Sequence, residues 1–210
     1  MRKWIRRWVL VGLWVLAGLW IGLTLPMSAA GQLPELPLSL EVQLGGILPL
    51  GDWEVQDRQT SLGVGGGILL SGLLRVELSD RFSAYGSYRW SRPSCDECAL
   101  FTLDDSMRDA GFGLGVGIGL PGALPGDPRL DLGGIFHQLA FRGGGQTRPS
   151  DWGIGVEAGT TLSFPVGPSL FLEPALAGVA YPARFEFEDD AFRKVAVRYL
   201  AARLGLRYSL

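Results

Sequence analysis

The chain ends with Arg203-Leu204-Gly205-Leu206-Arg207-Tyr208-Ser209-Leu210, in which apolar residues alternate strictly with charged, small or polar ones. Side chains of a β-strand point alternately to opposite sides. One face of this segment is therefore apolar, while the other carries Arg203, Gly205 and Arg207. Such a strand suits a wall with lipid on one side and a polar interior on the other. The end of the chain predicts a strand of a membrane-spanning β-barrel.

The beginning of the chain carries a targeting pattern. The chain begins with four basic residues, Arg2, Lys3, Arg6 and Arg7. An apolar run from Trp8 to Leu25 follows them, and then comes Pro26-Met27-Ser28-Ala29-Ala30. This order predicts a secretory signal cut after Ala30, so that residues 1–30 are the signal peptide and residues 31–210 the barrel. The alternative is an uncleaved membrane anchor, because about eighteen apolar residues lie at the lower limit for spanning a bilayer.

Charge and length narrow the range of possible partners and architectures. Removing residues 1–30 leaves 15 Lys and Arg against 21 Asp and Glu, a net charge of −6. We therefore expect no nucleic-acid partner. The remaining 180 residues suffice for one domain. Beyond the signal, no apolar run approaches the length of a membrane helix, so any membrane insertion must occur through strands.

The rest of the chain alternates with a period of two, which indicates strands throughout. The pattern predicts an all-β fold, an eight-stranded antiparallel up-and-down transmembrane barrel. Short turns are expected at 79–81, 121–127 and 165–168, and long polar loops at 51–61, 91–110, 142–151 and 182–194. The eight predicted strands lie at about 38–50, 62–78, 82–90, 112–120, 130–138, 152–164, 170–176 and 195–210.

Three of these strands are irregular. Ile135 and Gln138 fall on the wrong faces of the fifth. Pro174 removes one ladder hydrogen bond from the seventh. The eighth changes phase near Tyr199, which we interpret as a bulge or as the point where the strand leaves the membrane.

Glycine indicates which face looks inward. The polar faces carry runs of Gly with isolated acids and arginines rather than the Lys and Thr of a solvated sheet. The lumen of an eight-stranded barrel barely admits side chains, so bare positions make room for long ones. Paired charges can be held in such a lumen. We therefore predict a salt-bridged, largely closed lumen formed by Glu41, Glu77, Asp131, Glu157 and Glu173 with Arg75, Arg89, Arg129, Arg203 and Arg207.

Aromatic residues mark the two ends of the predicted strands. Amphipathic rings favour membrane interfaces, so two belts are expected, although aromatic residues also favour strands in general. The expected belts are Trp53, Trp90 and Trp152 beside the long loops, and Phe82, Phe164 and Tyr208 beside the short turns.

The terminal pattern Arg203, Gly205, Tyr208 and Leu210 resembles the C-terminal assembly signal of outer-membrane β-barrels, with Leu210 where that signal usually has Phe. From about residue 36 to 210 the chain resembles the small eight-stranded outer-membrane proteins of the OmpA-barrel, OmpX and OmpW kind. The resemblance implies insertion by the barrel-assembly machinery, contact with outer-membrane lipid and a bacterial outer-membrane location. We expect a monomer.

Candidate chemistry is sparse. His137 is the only histidine, and Ser-His-acid catalysis would need it beside a Ser and an acid, as in barrels that deacylate lipids. No recognisable motif surrounds it, which favours a polar lumen or rim residue. Cys95 and Cys98 lie in the second long loop, where a local disulfide is expected. Redox activity is the alternative, and a zinc site lacks ligands. No cofactor or metal is predicted.

Acidic residues crowd three of the predicted loops. They could gather divalent cations or meet an external ligand, although a solvated loop is the simpler interpretation. These residues are Asp52, Glu54 and Asp57, then Asp96, Glu97, Asp104 and Asp105, then Glu186, Glu188, Asp189 and Asp190.

The sequence thus favours a non-enzymatic barrel that acts in envelope structure or surface contact. A channel for ions or small solutes is the second candidate, because the Gly-lined fourth and sixth strands could leave a water path. A barrel enzyme acting on lipids is third, and a soluble periplasmic β-protein fourth. Val116→Arg is expected to block assembly and Gly115→Ser to be milder.

Overall fold

The computed structural model describes residues 37–56, 60–97, 106–121, 126–143, 146–186 and 192–210. The proposed signal segment lies outside them. All the described residues belong to one unit, Leu36–Leu210. In the described part of the chain, no helix is long and apolar enough to cross a membrane. The strands are β1 (Leu38–Pro49), β2 (Trp53–Gln56), β3 (Thr60–Glu77), β4 (Phe82–Glu97), β5 (Ser106–Gly119), β6 (Asp127–Gly143), β7 (Gln146–Pro149), β8 (Gly153–Pro165), β9 (Leu170–Glu186) and β10 (Phe192–Ser209).

Antiparallel pairing closes the sheet into a barrel. β1 pairs with β3 and with β10, and β2 pairs with the same two strands, so β1 and β2 occupy one position in the wall. β7 pairs with β6 beside β8. Val42 lies opposite Leu206 where the first and last strands meet. The eight-stranded antiparallel barrel that the sequence predicts is confirmed.

The two ends of the barrel differ. Tight turns join β3 to β4 and β8 to β9, where Val166 N–H donates to the carbonyl of Leu170 at 2.9 Å. Leu210 N–H donates to the carbonyl of Leu38 at the same end. We call this the turn end and the opposite one the loop end.

Near the turn end, apolar side chains point outward and polar side chains point inward. The outward apolar residues extend over nine residues of β10, from Tyr208 to Leu200, and over eleven on β5, from Leu120 to Ala110. A tilted strand needs about 9–11 residues to cross the hydrocarbon core of a bilayer. This part of the wall therefore has both the polarity and the length of a membrane-spanning barrel. Its most exposed large side chains are Leu114, Ile154, Leu44 and Val156.

Near the loop end, the two faces exchange their chemistry. The inward side chains become apolar and buried, and they include Met107, Leu139, Phe141, Phe185, Val195 and Val197. The outward side chains become basic and exposed: Arg92, Arg108, Arg142, Arg184, Lys194 and Arg198. An apolar core surrounded by a charged exterior is the arrangement of a barrel in water. The strands thus continue beyond the apolar band as a barrel of the opposite polarity.

This exchange corrects one sequence prediction and excludes one of the two interpretations of another. Most of the predicted loops 91–110 and 182–194 is strand, because β4 and β5 reach Glu97 and Ser106, and β9 and β10 reach Glu186 and Phe192. The phase change near Tyr199 is not a bulge, since Tyr199 pairs with Val179 in an uninterrupted register. The polarity of the faces changes there, and the backbone pairing does not.

The other irregular positions have separate explanations. Ile135 points inward and joins the apolar cluster, so its apparent misplacement reflects the exchange of the faces. Pro174 lies where pairing between β8 and β9 is interrupted without a change of register, between the pairs Thr161–Ala175 and Phe164–Leu172. A residue without an N–H is tolerated at such a break. Register shifts do occur in β3, between Gly63 and Gly67.

Candidate functional site

The lumen near the turn end holds a continuous chain of ion pairs. Arg75 contacts Asp131 at 3.2 Å, and Arg129 contacts the same carboxylate at 3.1 Å. Arg129 also contacts Glu173 at 3.2 Å, and Arg207 reaches that carboxylate at 2.6 Å. We call these five residues the lower ion chain. Each acid lies between two arginines, so each buried charge has a partner.

Hydroxyl groups complete this chain. Thr161 donates to Asp131 at 2.8 Å, and the guanidinium of Arg75 donates to Ser83 at 2.8 Å. The guanidinium of Arg207 donates to Ser163 at 3.1 Å. Buried donors and acceptors that find partners hold their side chains in one arrangement. The lower ion chain is therefore fixed by contacts with six strands: β3, β4, β6, β8, β9 and β10.

A second group of charges lies closer to the loop end. Glu157 accepts from Arg203 at 2.9 Å with one oxygen and from Arg89 with the other. We call these three residues the ion triad. All three side chains are at most 5% exposed. The triad joins β4, β8 and β10 across the lumen.

Two of the ten predicted network residues stand apart from these ion pairs. Glu41 is buried, but its contact is a hydrogen bond from the Gln43 side chain, and its other oxygen has no partner among the described residues. Glu77 is at the last position of β3 and forms no ion pair with any described residue. The prediction that Glu77 joins the lumen network is therefore wrong. Its strand position faces inward, but it lies at the rim.

Asp109 takes the place that the sequence analysis gave to Glu77. Its carboxylate accepts from the hydroxyl groups of Tyr181 at 2.8 Å and Tyr199 at 3.0 Å, and it lies 2.9 Å from Nδ1 of His137. We call these four residues the Asp109 cluster. All are buried. The described lumen still holds five buried acids against five arginines, because Asp109 replaces Glu77.

Asp109 is absent from the predicted lumen network because it falls within the predicted loop 91–110. The signal was present, since the period of two continues backward from Phe112 through Ala110 and Arg108. That alternation places Asp109 on the inward face with Gly111 and Met107. The alternation was hard to recognise because the two faces of the strand exchange their polarity there.

An apolar layer closes the lumen above the Asp109 cluster. We call it the apolar cap, and it comprises Ile47, Trp53, Leu69, Met107, Leu139, Phe141, Ala183, Phe185, Val195 and Val197. The rings of Phe141 and Phe185 pack at 5.1 Å between centroids. The inward-facing residues of β10 give the order of the layers from the turn end to the loop end. They are Arg207 in the lower ion chain, Arg203 in the ion triad, Tyr199 in the Asp109 cluster and Val195 in the apolar cap. Three polar layers and one apolar layer thus fill the described lumen.

Long side chains occupy the space beside two glycines of β5. A Cβ on Gly117 would lie 2.6 Å from Nη1 of Arg75 and 2.9 Å from Cδ of Arg129. A Cβ on Gly115 would collide with the ring of Tyr85 and with the carbonyl of Leu132. The space beside these glycines is occupied by long side chains from other strands, as expected for a narrow lumen.

Five of the six predicted belt residues lie on the outside of the barrel. Phe82 and Tyr208 are about half exposed near the turn end, and Phe164 is partly exposed there. Trp90 is partly exposed on β4, and Trp152 stacks on Phe136 at 4.7 Å.

Trp53 does not belong to the outer belt. It is 1% exposed within the apolar cap, and its indole N–H donates to the carbonyl of Arg198 at 3.0 Å. β2 lies near the loop end, where the inward face is apolar, so a large ring there gains more from the core than from the interface. The belt prediction for Trp53 is therefore wrong.

The remaining predicted residues divide between described and undescribed parts of the chain. In the proposed assembly signal, Arg203 and Gly205 face inward and Tyr208 and Leu210 face outward. The proposed Cys95–Cys98 disulfide lies outside the described residues, because Cys98 is not among them.

Of the eleven loop acids proposed to gather cations or meet an external ligand, the structure describes the exposure of three. Asp52, Glu54 and Glu186 are exposed. The described residues contain no group of three or more His, Cys, Asp or Glu side chains that could hold a metal ion.

No protein-family model matches the chain. No curated protein matches it in sequence either. Solved structures do share its fold. Neisserial surface protein A superposes with a TM-score of 0.57 at 13% identity, covering 81% of this chain and 96% of that one.

Two further solved structures share this fold. The outer membrane protein OprG from Pseudomonas aeruginosa gives a TM-score of 0.54 at 11% identity, over 83% of this chain and 96% of that one. The outer membrane protein AlkL in DMPC bilayers superposes with a TM-score of 0.59 at 13% identity, covering 88% of this chain and 94% of that one. These neighbours agree with the outer-membrane location that the sequence predicts. The chain is an all-β protein with the fold of the small eight-stranded β-barrels of bacterial outer membranes.

Proposed function

We propose that this protein is an integral outer-membrane barrel with a closed lumen, which acts in envelope structure or surface contact rather than in transport. The observation that carries the proposal is the filling of the lumen by the lower ion chain, the ion triad, the Asp109 cluster and the apolar cap. These layers leave function to the outer surface and to the loop end.

The polar layers oppose conduction by holding their charges in fixed pairs. An ion that enters the lumen must separate contacts such as that between Arg207 and Glu173 at 2.6 Å. Breaking a buried pair by removing one partner costs about 3–5 kcal/mol. Interrupting several such pairs in series is therefore a large barrier to an ion.

The apolar cap adds a barrier of a different kind. Its side chains, including Leu69, Leu139 and Val197, are fully buried. A hydrophobic constriction excludes water and ions together. The cap also disfavours passage of apolar solutes, because its interior is already packed by its own side chains.

The geometry gives less support to an enzyme. His137 lies beside Asp109, an arrangement that could orient a general base, but no described serine is hydrogen-bonded to it. Its side chain is 1% exposed and lies in the lumen beneath the apolar cap. A lipid substrate would have to displace that cap to reach the ring.

The proposal is tested by single-channel conductance in a planar bilayer. The full chain is refolded, and its different mobility on unboiled and boiled gels shows that it is folded. We expect no unitary steps above those of an empty membrane, while an open porin treated identically conducts. Reproducible unitary steps from the folded protein would overturn the closed-lumen proposal and direct attention to the channel alternative.

A further inference from the structure

Three arginines line one groove on the outside of the barrel. Arg92 lies on β4, Arg108 on β5 and Arg142 on β6, and all three side chains are exposed. The groove has a volume of about 390 Å³ and includes Trp90 and Ala110 among its lining residues. We call this feature the arginine groove. It crosses three consecutive strands of the wall.

The strand register places these three arginines within two residues of one another along the strands. Arg108 is paired with Ala140, two residues before Arg142 on β6. Trp90 is paired with Ala110, so Arg92 and Arg108 each lie two residues beyond this pair toward the loop end. The small side chains of Ala110 and Ala140 make the depression beneath the guanidinium groups.

The groove lacks a matching negative charge in the described structure. None of the three arginines forms an ion pair with a described residue, whereas all five arginines of the lumen do. Like charges on neighbouring strands destabilise a sheet. Three adjacent guanidinium groups therefore favour an anion, and phosphate matches their planar, forked geometry.

The position of the groove identifies the source of that anion. Below it, toward the turn end, Phe112 packs against Tyr88 at 5.3 Å and against Trp152 at 6.3 Å. Trp152 in turn stacks on Phe136. Such outward-facing rings mark a membrane interface. Arg108 lies four residues beyond Phe112, roughly 13 Å along the strand, which places its guanidinium at the level of lipid headgroups.

We propose that the arginine groove binds the phosphate of an anionic lipid in the outer leaflet. The guanidinium groups of Arg92, Arg108 and Arg142 hold the phosphate, and the apolar part of the lipid lies over Trp90 and the aromatic residues below it. Long basic side chains commonly bury their stems against apolar surface while the charged ends reach the headgroup region. The inference rests on the proposed outer-membrane location, and it adds a specific lipid site to that proposal.

The test uses the full chain, refolded into phosphatidylcholine nanodiscs that contain diphosphoryl lipid A as the probe. Native mass spectrometry measures how much lipid A the protein retains when it is released from the nanodisc. We expect the wild type to retain lipid A, and retention of enzymatically dephosphorylated lipid A to be roughly tenfold lower. This comparison needs no variant, so it stands even if a substitution prevents folding.

The variant for the groove is the triple substitution Arg92→Gln, Arg108→Gln and Arg142→Gln. Its matched control removes three outward basic residues from β9 and β10: Arg184→Gln, Lys194→Gln and Arg198→Gln. We expect the groove variant to lose about tenfold in lipid A retention and the control to keep most of it.

Three outcomes would overturn the site. Equal losses in the two variants would mean general electrostatic attraction, and no loss in the groove variant would mean that the phosphate binds elsewhere. Equal retention of the dephosphorylated lipid would mean that phosphate is not recognised. Failure of the wild type to enter nanodiscs would instead overturn the membrane location itself, so the two proposals fail in different ways.

Discussion

The guanidinium of Arg203 on β10 lies 2.9 Å from the carboxylate of Glu157 on β8, with the width of β9 between the two strands. The same carboxylate holds Arg89 of β4. One acid thus pairs with two arginines that approach it from different parts of the wall. Because breaking a buried pair leaves the other charge unsatisfied, this carboxylate is a point at which the fold is sensitive.

The first prediction concerns that carboxylate. Glu157→Gln is expected to lower the free energy of unfolding by about 3–5 kcal/mol, because Arg89 and Arg203 remain buried without a counter-charge. Urea unfolding of the refolded barrel, followed by tryptophan fluorescence, measures the change. Glu77→Gln is the control and should change the stability by less than about 0.5 kcal/mol, since Glu77 forms no ion pair with a described residue. Equal stabilities of the two variants would show that the ion triad does not stabilise the barrel.

The second prediction compares how two neighbouring buried acids, Glu41 and Glu173, contribute to the free energy of unfolding. Glu41 accepts a hydrogen bond from Gln43 and forms no direct ion pair with a described arginine, whereas Glu173 contacts both Arg129 and Arg207. Burying a carboxylate without an opposite charge is costly, and Gln retains the oxygen that accepts from Gln43. Glu41→Gln should therefore leave the free energy of unfolding unchanged or raise it.

Glu173→Gln should lower the same quantity by about 3 kcal/mol, because two arginines lose their shared partner. Both variants are measured by the same urea titration. If Glu41→Gln were the more damaging of the two, then Glu41 would carry a charge interaction that the described contacts do not include.

The third prediction revises the expected effect of Gly115. Val116 points outward, so Val116→Arg should cost about 2–4 kcal/mol near the bilayer midplane. A Cβ on Gly115 would collide with Tyr85 and with the backbone of β6, so Gly115→Ser should itself be damaging, although it should remain milder than Val116→Arg. Overpacking of this kind costs about 1–3 kcal/mol.

Gly134 provides the matched control for that experiment. It lies on the neighbouring strand β6, and a Cβ placed there meets no atom within 4 Å. Gly134→Ala should therefore refold as efficiently as the wild type, while Gly115→Ser refolds poorly. The fraction of protein with folded mobility on an unboiled gel gives the measurement. Normal refolding of Gly115→Ser would mean that Tyr85 leaves the position that the structure gives it.

The fourth prediction concerns the Asp109 cluster. Asp109→Ala leaves two tyrosine hydroxyls and one histidine nitrogen without their shared acceptor, so the loss should be about 3 kcal/mol or more. Tyr181→Phe removes a single hydrogen bond and should cost about 1 kcal/mol. Tyr88→Phe, on the outside of the barrel, should cost almost nothing. A harmless Asp109→Ala would exclude the cluster as a structural element of the lumen.

Local patterning explains why so much of the barrel could be predicted. In β5, Phe112, Leu114 and Val116 alternate with glycines, so the period of two reveals both the strand and its outward face. The terminal strand is equally clear, and its Arg203 and Arg207 point inward as the alternation requires. Where one face meets lipid and the other meets a polar lumen, the polarity of each residue indicates whether its side chain points outward or inward.

The same reasoning failed where that environment ends. Trp53 was assigned to the outer belt because its apolar ring was interpreted with the polarity of the membrane-spanning part, whereas it is buried inside. Asp109 was missed because the apolar and basic residues around it, which face the opposite way there, made residues 91–110 resemble a loop. Near the loop end water replaces lipid outside the wall, so apolar side chains turn inward and basic ones outward. The period is unchanged there, but a residue's polarity no longer indicates its face in the same way.

The sequence by itself determined the membrane-spanning parts of the strands and the facing of the apolar band, because these follow from alternation along each strand. The closure of the first strand on the last is seen in the pairing of β1 with β10. Only the tertiary structure decided which charges meet. Arg89 finds Glu157 across 68 positions of the chain, and Asp109 collects Tyr181 and Tyr199 from two other strands. Such partners depend on strand register and on the space that glycines leave across the lumen, which are properties of the closed wall and of no single segment.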